Sequence, residues 1–151
     1  RERGLVEPLR DYVASGRPFL GVCLGLQLLL ERTEEGNAPC LGIISGEVKR
    51  LPPGLKVPHM GWNSVRFKTE HPVLRGIPQD SHFYFVHSYY PVPTDAEGLA
   101  GVTEYGVPFC SVYAKGNLVA TQFHPEKSGG IGVRIYQNFA AMAARPAAAG
   151  R

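Results

Sequence analysis

The chain has 151 residues, 44% hydrophobic and 19% charged, the size and balance of one folded domain and not of a disordered segment. Sixteen lysines and arginines against thirteen acidic residues leave a net charge of +3, spread without the basic clustering a nucleic-acid surface needs. The longest apolar stretch, Phe19 to Leu30, is twelve residues and contains Gln27, too short to span a bilayer.

Arg1-Glu2-Arg3-Gly4 carries no apolar signal core, so export is not expected. Three cysteines at unrelated spacings fit neither a disulfide framework nor a zinc pattern, and a reducing, cytoplasmic setting is the expectation. No cofactor or metal is expected.

Eighteen glycines and thirteen prolines predict frequent turns and few long helices. The first element is a short helix over Leu5 to Ser15, with Leu5, Leu9, Tyr12 and Val13 on one face and Gly16 as its stop. Phe19-Leu20-Gly21-Val22 reads as a buried parallel strand, and a helix follows from about Leu24 to Arg32. Helix, strand and helix in succession are a piece of an α/β sheet. Residues 43–51, 62–68, 82–90, 99–104, 107–114 and 117–123 read as strands, with turn pairs at Tyr105-Gly106 and Gly116-Asn117. Ser128-Gly129-Gly130 opens a last helix, along which Ile131, Ile135, Phe139 and Met142 share a face. Residues 145–151 are expected to fray. An α/β sheet usually opens with a strand, so residues 1–151 read as a single domain whose first strands are missing.

Gly21-Val22-Cys23-Leu24-Gly25 has the form G-x-C-x-G between a predicted strand and a predicted helix. That is a nucleophile elbow carrying cysteine. The turn lifts the side chain clear of the sheet. The helix N–H dipoles are expected to favour thiolate, and the Leu24 N–H is placed to bind an oxyanion. The other reading of Cys23 is a small buried hydrophobe, which is the one preferred for Cys40 and Cys110.

A cysteine nucleophile needs a base, and the base an orienting acid. His124-Pro125-Glu126 follows a predicted strand. Residues two apart in an extended segment face the same side, so Glu126 can hold the His124 ring. His71 sits in a turn, and His59, His82 and His87 read as surface or strand-end histidines. Gln27 lies one helical turn after Cys23 on the same face. Trp62, the only tryptophan, reads equally as a core residue or an interface anchor.

Three features resemble class I glutamine amidotransferases in order and separation: the elbow from Gly21 to Gln27, the pair His87-Ser88, and Gln122-Phe123-His124-Pro125-Glu126. The stretches Pro58 to Asn63 and Tyr84 to Tyr89, with Lys127-Ser128, are similar to the family of glutaminase subunits of imidazole glycerol phosphate synthase. The resemblance implies a three-layer, flavodoxin-like α/β sheet and hydrolysis of glutamine to glutamate and ammonia through a cysteine thioester. It implies Cys23 as nucleophile, His124 as acid/base and Glu126 as its orienter. Gly21, Gln27, Glu35, Ser88 and Tyr89 would hold glutamine, although Glu35 by itself reads as a solvated side chain. The implied partner is a (β/α)8-barrel cyclase subunit, in a heterodimer that makes imidazole glycerol phosphate and aminoimidazole carboxamide ribotide in histidine biosynthesis. Trp62, Asn63, Tyr84 and Lys127 are the interface candidates. The family pattern also has N-terminal strands and a Pro-Gly loop that supplies a second oxyanion N–H, and nothing before Phe19 matches them. Two alternatives stay open: a glutaminase domain of another amidotransferase, and a cysteine-elbow redox or stress protein.

Overall fold

The computed structural model describes residues 4–144, so the expected frayed tail, 145–151, lies outside the described residues. Helix α1 (Val6–Ala14) leads to β1 (Phe19–Val22) and the five-residue α2 (Leu24–Leu28). Short strands β2 (Arg32–Thr33) and β3 (Ala38–Pro39) precede β4 (Gly46–Arg50) and the long β5 (His59–Phe67). Then come β6 (Ser81–His87), β7 (Tyr89–Pro93), β8 (Leu99–Glu104), β9 (Pro108–Lys115), β10 (Leu118–Thr121) and α3 (Gly129–Ala143).

Six strands form one sheet in the order β1-β10-β9-β8-β5-β6, and four form a second, β3-β2-β4-β7. In the larger sheet only β1 and β10 run parallel, with Val22 beside Thr121. The turn pairs read from the sequence do join antiparallel strands, β8 to β9 and β9 to β10. The sheet is covered on both faces. Along β10, Val119 enters a core with Phe83, Phe123, Ile135 and Met142 under α3, while its neighbour Ala120 enters another with Leu26, Leu29 and Val48 under α2 and the second sheet. Successive strand residues point to opposite faces, so these two cores make three layers. Among the described residues no helix is long and apolar enough to cross a membrane.

Several elements differ from the sequence expectation for identifiable reasons. The helix after Cys23 ends at Leu28, and Arg32 belongs to β2. The segment after Cys40 folds back, and the N–H groups of residues 41–44 take the carbonyls of Leu28, Leu29 and Leu30. Those backbone groups are then unavailable to the strand expected over 43–51, so β4 begins at Gly46. The strand expected over 82–90 is two strands. The chain leaves the large sheet after His87 and enters the small one at Tyr89, which pairs across from Arg50. In α1, Val6 and Leu9 pack on the core beside α2, whereas Leu5 and Tyr12 stay exposed.

Candidate functional site

The elbow forms, and of its two glycines only Gly21 is required by close packing, since a Cβ on Gly25 would meet nothing within 4 Å. Cys23 has φ 54° and ψ −104°, a strained conformation for a residue with a Cβ. Its N–H is bound to the Thr121 carbonyl at 2.6 Å, which locks the turn to the end of β10. A Cβ on Gly21 would meet the Gly25 carbonyl carbon and oxygen at 3.0 Å. Gly21 thus admits the backbone of α2 beneath the elbow.

His124 comes three residues after Thr121, and Cys23 one residue after Val22, so both lie past the same ends of adjacent parallel strands. This is where α/β sheets place their sites. Three contacts hold the His124 loop. The His124 N–H donates to the Tyr84 carbonyl at 2.9 Å. The buried Ser128 hydroxyl donates to the His124 carbonyl at 2.6 Å and accepts from the Tyr84 N–H at 2.9 Å. A Cβ on Gly132 would overlap the Pro125 carbonyl, so α3 packs directly on the loop.

His124 Nδ1 lies 2.8 Å from Glu126 Oε2. A carboxylate only accepts, so Nδ1 carries a proton, and in the neutral ring Nε2 is the nitrogen with the lone pair. Tyr136 on α3 donates its hydroxyl to Glu126 Oε1 at 3.2 Å. Burial works to raise the Glu126 carboxyl, and the hydrogen bonds from His124, its own N–H and Tyr136 overcome it, holding the carboxyl below its ordinary value.

The sulfur makes no hydrogen bond to His124 in this structure. Sγ approaches the Val86 carbonyl at 3.8 Å and accepts from Gln122 Nε2 at 3.5 Å. Catalytic contacts are often loose before substrate binds. The expected pull of the helix terminus towards thiolate is present in the Leu24 N–H, but a larger effect opposes it. Burial pushes the thiol above its ordinary value, outweighing the Leu24 N–H and the Gln122 amide that pull it down.

A cavity of about 400 Å³ opens at the sulfur, lined by Cys23, Leu24, Gln27, Glu35, Arg50, His87, Ser88 and Tyr89. It gathers four of the expected glutamine-holding residues, Gln27, Glu35, Ser88 and Tyr89. Glu35 is an exposed residue at its rim. Arg50 was not singled out in the sequence; its guanidinium stands over the Tyr89 ring at 5.6 Å.

His59 and His87 are not surface histidines. They pair across β5 and β6, are buried, and lie with His59 Nδ1 3.0 Å from His87 Nε2. His87 Nδ1 faces the Tyr89 carbonyl at 2.9 Å, so that nitrogen must donate. His87 Nε2 then accepts from His59, and His59 Nε2 accepts from Asn63 Nδ2 at 3.3 Å. Phe85 and Tyr105 sandwich the His59 ring. Burial lowers both histidines to about 4, so both are neutral near pH 7.

The interface candidates separate. Trp62 is 55% exposed and its ring meets Tyr84 edge-on at 5.9 Å. Met60, 60% exposed, shares that face of the β5–β6 hairpin. Asn63 faces the other way, towards His59 and the Glu104 carbonyl. Lys127 is exposed beside Glu126.

The family model described as "Glutamine amidotransferase class-I" matches residues 2–143. The imidazole glycerol phosphate synthase subunit HisH of Dehalococcoides mccartyi strain CBDB1 is 51% identical over 144 residues, covering 95% of this chain and 70% of that one. The HisH subunit of Moorella thermoacetica is 51% identical over 140 residues, covering 92% and 67%. Among solved structures, a glutamine amidotransferase superposes with a TM-score of 0.64 at 22% identity over 95% of this chain and 70% of its own. Another, from Thermotoga maritima, gives 0.63 at 20% over 92% and 54%. The structural likenesses carry the fold and the sequence relatives carry the family. The chain belongs to the class I glutamine amidotransferases and, within them, to the HisH glutaminase subunits of imidazole glycerol phosphate synthase.

Proposed function

We propose that Cys23, His124 and Glu126 hydrolyse glutamine at the 400 Å³ cavity. The observation that carries this is the placement of the strained elbow and the His124–Glu126 pair past the ends of neighbouring parallel strands. Glutamine enters against Gln27, Glu35, Ser88 and Tyr89. The resting sulfur is protonated. His124 Nε2 takes that proton as the sulfur attacks the side-chain amide carbon, and Glu126 stabilises the imidazolium. The Leu24 N–H receives the oxyanion. His124 then protonates the leaving nitrogen, and ammonia departs from a glutamyl thioester. Water, deprotonated by neutral His124, cleaves the thioester to glutamate and restores the thiol.

Ammonia protonates in water and loses its nucleophilicity, so it must pass to a second site without meeting solvent. The acceptor is a cyclase subunit of (β/α)8-barrel fold in a cytoplasmic heterodimer, where ammonia goes into imidazole glycerol phosphate. The exposed Met60 and Trp62 lie on β5, paired with the strand β6 whose Val86 carbonyl meets the sulfur, so a partner docked there would seal the site. Among the described residues strand β1 ends the large sheet with one edge unpaired, and Phe19 and Leu20 on it are only half buried. That edge suits further strands of the same amidotransferase domain, contributed by N-terminal sequence.

The test is Cys23→Ala in the complex with the cyclase subunit. Glutamine hydrolysis should be lost while cyclase turnover on supplied ammonia persists. Retained glutamine hydrolysis refutes the assignment.

A further inference from the structure

Gln122 stands out in the sequence only as the residue two places before His124, yet it is fully buried and its amide fills the space between the sulfur and Gln27. Its Nε2 lies 3.5 Å from Cys23 Sγ, and its Oε1 accepts from Gln27 Nε2 at 3.1 Å. Its own N–H is fixed to the Ser111 carbonyl at 2.9 Å.

A free amide could face the sulfur with either end. Here the surroundings permit one. The Tyr89 carbonyl accepts from Gln27 Nε2 at 2.9 Å, and a carbonyl cannot donate, so Gln27 must present its NH2 group. That group's second hydrogen points at Gln122, which must answer with Oε1. Only the Gln122 NH2 group is left for the sulfur. The same carbonyl also accepts from His87 Nδ1, and His87 is braced through His59 to Asn63. The polarity of the whole buried chain agrees with one orientation of Gln122.

We infer that Gln122 belongs to the reaction centre: its amide, turned by Gln27 and the Tyr89 carbonyl, donates to the Cys23 sulfur, aims it, and steadies it as negative charge gathers there. This rests on Cys23 being the nucleophile. Burial opposes charge on the sulfur, and Gln122 and the Leu24 N–H are the donors that counter it. The charged and titratable groups around the sulfur are His124, Glu126 and Lys127 on the loop after β10, His87 at the end of β6, and Glu35 and Arg50 across the cavity. None of them touches Sγ, as Gln122 does. A hydrogen bond to a charged acceptor is worth enough to change a rate about tenfold or more.

The experiment measures alkylation of Cys23 by iodoacetamide against pH in the two-subunit complex, for the wild type, Gln122→Met and Gln122→Glu. Methionine keeps the length and loses the N–H; glutamate keeps the shape and puts oxygen where nitrogen stood. With Gln122→Met the thiol should titrate about one pH unit higher and alkylate roughly tenfold more slowly at neutral pH. Glutamine kcat should fall in parallel with KM little changed, and Gln122→Glu should shift the titration further. A wild-type pH profile in a variant with wild-type thermal stability overturns the inference. If both variants melt early, Gln27→Met decides, since it leaves Gln122 in place but frees its amide to turn. A shift in the same direction supports the inference and no shift overturns it. Alkylation of wild-type Cys23 that spares glutamine turnover would sink the nucleophile reading itself, a separate outcome from silent Gln122 variants.

Discussion

The two halves of the site are built differently. The sulfur half is interior: Gln122, Gln27, His87 and His59 are buried and joined by hydrogen bonds between neutral groups. The ring half is at the surface, where the His124 and Glu126 side chains are 19% and 47% exposed. Burying charge is costly, so the interior half holds its geometry with directional neutral donors and acceptors. Water surrounds the His124–Glu126 pair on the outer half, whose interaction strengthens once substrate or partner excludes that water. Burial therefore works against charge on the sulfur, and His124, the proposed proton acceptor, sits where closure can sharpen its contact with Glu126.

The strongest challenge to this division is His124→Asn. Loss of a positioned acid/base costs about 10²–10⁴ in turnover, while the buried half and glutamine binding should persist. Steady-state hydrolysis by the two-subunit complex measures it, and a loss under tenfold would make the outer half dispensable.

Acid should break the inner half first. Burial lowers His59 and His87 to about 4, whereas the unfolded rings titrate near 6.5. Below about 6.5 the unfolded chain binds more protons than the folded one, so stability is full above that pH and falls as pH drops towards 4. By pH 5 the loss approaches roughly 2 kcal/mol per ring. Urea melts at pH 7 and pH 5 should show it, and His59→Gln should flatten the difference. Equal stability at both pH values would mean that the pair is not held neutral by burial.

What the sequence revealed of this site is what local chain geometry dictates. A strand, a glycine-flanked cysteine and a helix specify the elbow without reference to distant residues. His124 and Glu126 stand two apart after a strand and their meeting is also local, although Pro125–Lys127 is a turn of 3-10 helix and not the extended segment expected. The inner half is illegible for the opposite reason. Gln122 reaches Cys23 and Gln27 across 99 and 95 positions, and His59 reaches His87 through the pairing of β5 with β6. No periodicity encodes such contacts. The early end of α2 and the switch of sheets at Ser88 depend likewise on bonds from residues 41–44 and on pairing with β4. Strand parity divides Trp62 from Asn63, and parity becomes visible only once the register is fixed.

The outer half also predicts where a partner binds. Trp62 is large, exposed and supported edge-on by Tyr84, as interface anchors tend to be. Trp62→Ala should weaken association with the cyclase subunit by about 2 kcal/mol, roughly thirtyfold in Kd. Calorimetric titration would read it, with Cys23 alkylation in the isolated chain unchanged. Unaltered affinity would move the docking face elsewhere.

Tyr136→Phe should have the smallest effect, and its size discriminates between the two modes of construction. The Tyr136 hydroxyl is the second side-chain donor on Glu126 after His124, and it helps hold that carboxyl below its ordinary value. On a half-exposed carboxylate water can replace a lost hydroxyl, so a penalty of about 0.5–1 kcal/mol is expected, a two- to fivefold fall in kcat with KM unmoved. Glu126 should also protonate more readily, so the acid limb of the kcat profile should move to slightly higher pH. A loss as large as that of His124→Asn would mean that the outer pair depends on a directional network as the sulfur does, and the contrast between the halves would fail.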